Sequence, residues 1–160
     1  MKNKNHIAFG LTGALLTVVL FFGQYFMNIS SQNQVLRWVP ILLLIGVVIA
    51  GCINYSKINE GDVTFGEVFG NGFKITAIIT LICIVVYAAF AALVPEFKER
   101  IIEEGVTNAP PGQATEEQMQ QGVEWMRKNF MLMLVAGTLF MNLLAGVVAA
   151  LIGAAVAKKK

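Results

Sequence analysis

Charged residues are scarce in this chain. Of its 160 residues only 14% are Asp, Glu, Lys or Arg, against roughly 25% in an ordinary soluble domain. With 56% apolar residues, that balance excludes a soluble enzyme and a disordered tail. A net charge of +2 with no basic groove-binding cluster excludes a nucleic-acid partner. Histidine occurs once, as His6, and the two cysteines, Cys52 and Cys83, form no Cys-x-x-Cys pair. A lone histidine offers neither metal spacing nor paired haem ligation. Thiols inside apolar runs such as Ile49 to Ile53 hold their protons and act as small core packers. No Ser/His/Asp set, phosphate loop or Gly-x-Gly-x-x-Gly motif occurs. The expectation is a non-enzymatic protein with no catalytic, cofactor-binding or metal-binding residues.

What the chain has in excess is apolar length. Four runs reach the roughly 20 residues that a helix needs to cross a bilayer: about Ile7 to Met27, Trp38 to Tyr55, Phe73 to Val94 and Phe130 to Ala157. Without water in the hydrocarbon, each must be helical to satisfy its own backbone. The predicted fold is an all-α integral membrane four-helix bundle, one domain over residues 1–160. An extramembrane helical hairpin, about 95–129, joins spans three and four. The first run is too long for a signal-peptide core and has no small-residue cleavage site after it, so it reads as a retained helix. Pro40 falls in the first turn of span two, where proline is tolerated. Tyr25 and Trp38 stand where an aromatic belt forms, beside a short turn from Asn28 to Arg37. Lys2, Lys4, Lys57, Lys74 and Lys158 to Lys160 share one side, and Arg37, Lys98, Arg100, Arg127 and Lys128 the other. This bias places both termini in the cytoplasm, with the protein multi-pass in an inner (plasma) membrane.

The second loop carries the densest pattern. Thr64 and Glu67 have capping-box spacing, so a short helix starts there. Phe65, Phe69 and Phe73 fall on one of its faces, and Glu67, Asn71 and Lys74 on another. The segment reads as an interfacial elbow that bends into span three through Gly70 and Gly72. In the third loop Pro95 opens a short helix, Glu96 to Glu104, with Glu96 and Arg100 paired and Phe97 above Ile101. Pro110-Pro111-Gly112 breaks it. Thr115 and Gln118 then cap a second helix, whose stripe of Met119, Val123, Met126 and Phe130 leads into span four.

Ionisable residues are nearly absent at membrane depth, which argues against an ion-coupled carrier. Asn142 is the polar residue nearest the middle of span four and reads as interhelical glue or a solute contact. Small residues form ridges: Ala145, Ala149 and Gly153 beside Gly146, Ala150 and Ala154, with Gly10 and Ala14 in span one and Gly46 and Ala50 in span two. Candidate functional or packing positions are therefore Gly61, Thr64, Phe65, Gly66, Glu67, Phe69, Gly72, Phe73, Lys74 and Asn142.

Four spans, a long loop before the last, and the segment Gly61-Asp62-Val63-Thr64-Phe65-Gly66-Glu67-Val68-Phe69-Gly70-Asn71-Gly72-Phe73 together make a pattern. It resembles the domain of unknown function 4199 family of small four-helix bacterial membrane proteins, mainly from Bacteroidota. In that family the segment typically reads Gly-x-Ile-Thr/Ser-Phe/Tyr-Gly-x-Ala-Phe-x-x-Gly-Phe; Val63 and Val68 depart mildly from it. The resemblance implies the architecture and no activity. The expected role is an accessory or scaffold subunit, held in the lipid bilayer with a membrane-protein partner or as a homo-oligomer. The alternative is an oligomeric transporter, or a channel- or holin-like protein, for a neutral or amphipathic solute.

Overall fold

A computed structural model describes residues 4–27, 34–107 and 115–160. Five helices follow one another: α1 (Asn5–Phe26), α2 (Gln34–Ile58), α3 (Phe65–Leu93), α4 (Pro95–Thr107) and α5 (Glu116–Val156). Of these, α1, α2, α3 and α5 are long and apolar enough to cross a membrane. The predicted all-α four-helix architecture is the one observed. The expected first turn lies outside the described residues at positions 28–33, and the Pro110-Pro111-Gly112 turn lies wholly outside them.

Two elements differ from expectation, each for a physical reason, and a third, α5, runs from its Thr115–Gln118 cap into span four as expected. There is no separate elbow: α3 runs unbroken from Phe65, so the capping box at Thr64 starts the spanning helix itself. Pro40 is not in a first turn, because α2 begins at Gln34. A proline there has no N–H for the carbonyl of Leu36; that oxygen instead accepts from Gln24 Nε2 of α1 at 3.2 Å. Finally, α5 is one helix of 41 residues with a kink at Asn129 (φ −105°, ψ 15°). The Asn129 side chain donates to the Trp125 carbonyl at 2.9 Å, a local competition that bends helices.

The bundle is organised around α3, which touches every other helix. Its buried face presents Val68, Ile75, Ile79 and Cys83 to the core. Close approach of backbones makes this possible. A Cβ at Gly13 would lie 2.6 Å from Ile79, one at Gly10 2.8 Å from Ile78, and one at Gly51 would strike Ile75. On α5, Ala149, Ala150 and Ala154 are fully buried, as the small-residue ridges predicted. Span two departs from that pattern: Gly46 and Ala50 face outward, and α2 packs through Leu44, Val48, Gly51 and Cys52 instead.

At the opposite end of the bundle the hairpin joins a second core of Ala91, Phe97, Ile102 and Phe130. Tyr25 belongs here rather than to a belt, with its ring 4.9 Å from that of Phe90. Ile102, not Ile101, is the buried partner on α4 (3% against 41% exposed). Val123 and Met126 pack on this core, whereas Met119 is exposed. Arg100 meets Glu104 at 3.3 Å instead of the expected Glu96. Arg127 reaches across from α5 to grip Glu99 with two hydrogen bonds, 3.1 and 2.6 Å, which hold that carboxyl below its ordinary pKa.

Candidate functional site

Most of the candidate positions gather at one end of the bundle, where the α2–α3 turn, the start of α3 and the last residues of the chain meet. The turn is built by a Schellman-type cap. Gly61 N donates to Ser56 O at 2.9 Å and Glu60 N to Lys57 O at 3.1 Å, with Glu60 and Gly61 at φ +55° and +78°. Glycine at 61 relieves the second of those left-handed conformations. Two turns of chain later, Glu67 N donates to Thr64 Oγ1 at 3.2 Å, and Thr64 N donates to Glu67 Oε2 at 2.8 Å. Glu67 is therefore a helix cap, and its carboxylate also neutralises the positive end of the α3 dipole.

Residues Ala157 to Lys160 leave α5 and lie against this turn. Ser56 Oγ donates to the Lys158 carbonyl, and Lys160 N donates to the Gly61 carbonyl at 2.9 Å. Lys159 folds back, its ammonium donating to Ala154 O at 2.7 Å and standing 5.1 Å from the centroid of the Phe65 ring. From Phe65 the aromatic face continues as a ladder, with stacked rings 6.5 Å (Phe65 to Phe69) and 6.4 Å (Phe69 to Phe73) apart. Phe65 and Phe73 are 44% and 41% exposed, whereas Phe69 between them is partly buried and packs against the core, so the ladder is open at its two end rings. Lys74 is exposed beside Phe73.

The three glycines of this segment have different roles. Gly66 and Gly70 meet open space, whereas a Cβ at Gly72 would lie 2.7 Å from Cys52 Sγ and 2.9 Å from Ala150 Cβ. Gly72 is a contact between α3, α2 and α5, not a hinge. Asn71 stands on the same helical stripe as Glu67 and Lys74 but at its inward edge: it is 4% exposed and donates to Gly51 O at 3.3 Å. Asn5 Nδ2 donates to the same carbonyl at 2.9 Å, and Asn54 Nδ2 donates to Asn5 Oδ1 at 2.7 Å. This buried amide cluster ties α1, α2 and α3 together, and sequence reasoning missed it. The available signal was that Asn71 lies between Val68 and Ile75 at helical spacing, on the inward face.

Asn142 is remote from this end. The antiparallel register that sets Gly72 against Ala150 and Gly146 against Thr76 places Asn142, half-buried, level with Thr80. The Thr80 hydroxyl is buried without a hydrogen-bond partner among the described residues. Thr76 is fully buried and gives its hydroxyl to Gly72 O at 3.1 Å, so these threonines sit in a helix-to-helix contact. Among the described residues no three His, Cys, Asp or Glu side chains come together to hold a metal ion. The arrangement presents cationic and aromatic groups together at one end of the bundle.

No curated protein and no solved structure matches the chain. The chain belongs to the family described as Protein of unknown function (DUF4199), which it matches over residues 8–159.

Proposed function

We propose that the protein is a non-enzymatic accessory or scaffold subunit of a bacterial inner membrane, assembling through its spanning helices. One observation carries this reading: α2 has two small-residue faces, and only one is filled. Gly51 is closed off by Ile75 of α3, whereas Gly46 has nothing within 4 Å and Ala50 beside it is exposed. Small-xxx-small ridges let a second helix backbone approach closely, and lipid tails supply no comparable fit. The occupant is a helix of another chain, either a second copy or a membrane partner.

Gly46→Leu tests the assignment cleanly, because the added side chain meets open space within the monomer and leucine favours the helix. Purified in mild detergent, the wild-type protein should carry a stoichiometric partner or run as a homo-oligomer. The Gly46→Leu protein should run alone with unchanged helix content by circular dichroism, its melting temperature lowered only by the loss of the associated chain. A wild-type protein that is monomeric and unaccompanied overturns the reading.

The lysine-rich end is assigned to the cytoplasm on the distribution of basic residues. With Asp62→Cys, an impermeant thiol reagent should label only after the cells are opened, since the native Cys52 and Cys83 are buried. Labelling in intact cells reverses the orientation.

A further inference from the structure

The end of the bundle described above has more positive charge than its own structure uses. Lys4, Lys57, Lys74, Lys158, Lys159 and Lys160 stand there against Glu60, Asp62 and Glu67, and Glu67 is engaged as a cap. The lysines form two tiers. Asn5 bonds to Gly51 and Gly51 packs on Ile75, so Lys4 and Lys74 lie level with each other. Lys57 and Lys158 to Lys160 lie further out, around the α2–α3 turn. The Phe65–Phe69–Phe73 ladder connects the tiers on the outer surface of α3, one end under the Lys159 ammonium and the other beside Lys74.

We infer that this surface is a seat for an anionic phospholipid. The phosphate and its headgroup would lie among Lys158, Lys159 and Lys160 at the Phe65 end, and the acyl chains would run from there along the ladder toward Phe73. Three features favour a lipid. The rings run along the helix axis, as acyl chains do, and stand at a membrane boundary where apolar bodies with nearby charge are favoured. Lysines close to a membrane surface attract anionic headgroups. And the last residues are held in place by backbone bonds to Ser56 and Gly61, so the lysines are ordered before any ligand arrives. This seat shares no residue with the open ridge on α2, and the two assignments stand or fall separately.

The experiment is native mass spectrometry of the full chain in detergent, with phosphatidylglycerol and phosphatidylcholine of identical acyl chains added in turn. Phosphatidylglycerol should be retained in preference. Changing Lys158, Lys159 and Lys160 together to Gln should reduce that preference by about fivefold per lysine, on the order of a hundredfold for the set. The same three positions changed to Arg should keep it, as should Lys98→Gln at the other end of the bundle. The Gln substitutions leave the backbone bonds to Ser56 and Gly61 intact. A Lys158→Gln/Lys160→Gln protein keeps the Lys159 contact to Ala154 as well, and should show the loss with an unaltered melting temperature. Equal retention of the two lipids overturns the proposal, as does a triple Gln protein with wild-type preference. Inorganic phosphate at millimolar concentration should not displace the lipid; if it does, the site binds free phosphate and the lipid assignment fails.

Discussion

Gly72→Leu will leave little folded bundle, at a cost of about 3 kcal/mol or more, the upper end of what overpacking a filled core produces. The first added carbon already meets Cys52 Sγ at 2.7 Å and Ala150 Cβ at 2.9 Å, with the Ala150 backbone at 3.2 Å. Neither neighbour has a flexible end to move, so α2 and α5 must both separate from α3. Gly70→Leu, two residues earlier on the same helix, meets nothing within 4 Å and should change stability by no more than about 0.5 kcal/mol. Thermal unfolding in detergent, followed by circular dichroism, compares the two. Equal melting temperatures would refute the assignment of Gly72 as a three-helix contact. Lys98→Gln in the hairpin should likewise be silent.

The second large effect belongs to Phe97→Ala, at about 3–5 kcal/mol for a buried phenylalanine. Phe97 is the centre of an aromatic cluster: its ring lies 5.2 Å from Phe90, 5.5 Å from Phe21, 5.9 Å from Tyr25 and 6.4 Å from Phe130, mostly edge-on. It therefore joins α1, α3, α4 and α5 at one point. Removing it should free α4, raising amide exchange across Pro95–Thr107 while the core around Ile75 and Ile79 stays protected. Ile101→Ala, one residue from the buried Ile102, is the control and should leave exchange unchanged. If α4 exchanges at the same rate in both variants, the hairpin is held by something other than this cluster.

Hydropathy made the four spans readable, because a bilayer admits only long apolar helices. The start of α3 was harder. Thr64 and Glu67 announced a helix, but Gly66, Gly70, Asn71 and Gly72 lower both hydropathy and propensity, and the sum reads as an elbow. Tertiary contact outweighs propensity here, since Gly72 is what α5 requires. Rotation about an axis was equally hidden. Gly46 and Gly51 look alike in sequence, and only the position of Ile75 decides which one is covered. The amide cluster depends on pairs such as Asn5 and Gly51, 46 residues apart, with a carbonyl as the acceptor. Backbone groups carry no residue signature. The docking of Lys158 to Lys160 was invisible for the same reason, although the lysines themselves marked the correct end as unusual.

The helix that touches every other is the third to be synthesised. α1 and α2 fill part of each other's glycine faces, Val47 against Gly13 and Phe9 against Gly51, but the contacts to Ile78, Ile79 and Ile75 wait for α3. The leading pair has its own contacts to associate through, among them the bonds from Asn5 to Gly51 and from Asn54 to Asn5. Emergence of Phe65–Leu93 supplies the missing side chains for both at once. α5 then lays its alanines against α3 and brings Lys160 to Gly61, so the lysine-bearing end takes its form only once α5 is in place. Without α5, Gly72 would keep its contact with Cys52 and lose the one with Ala150, and Thr76 would lose its contact with Gly146.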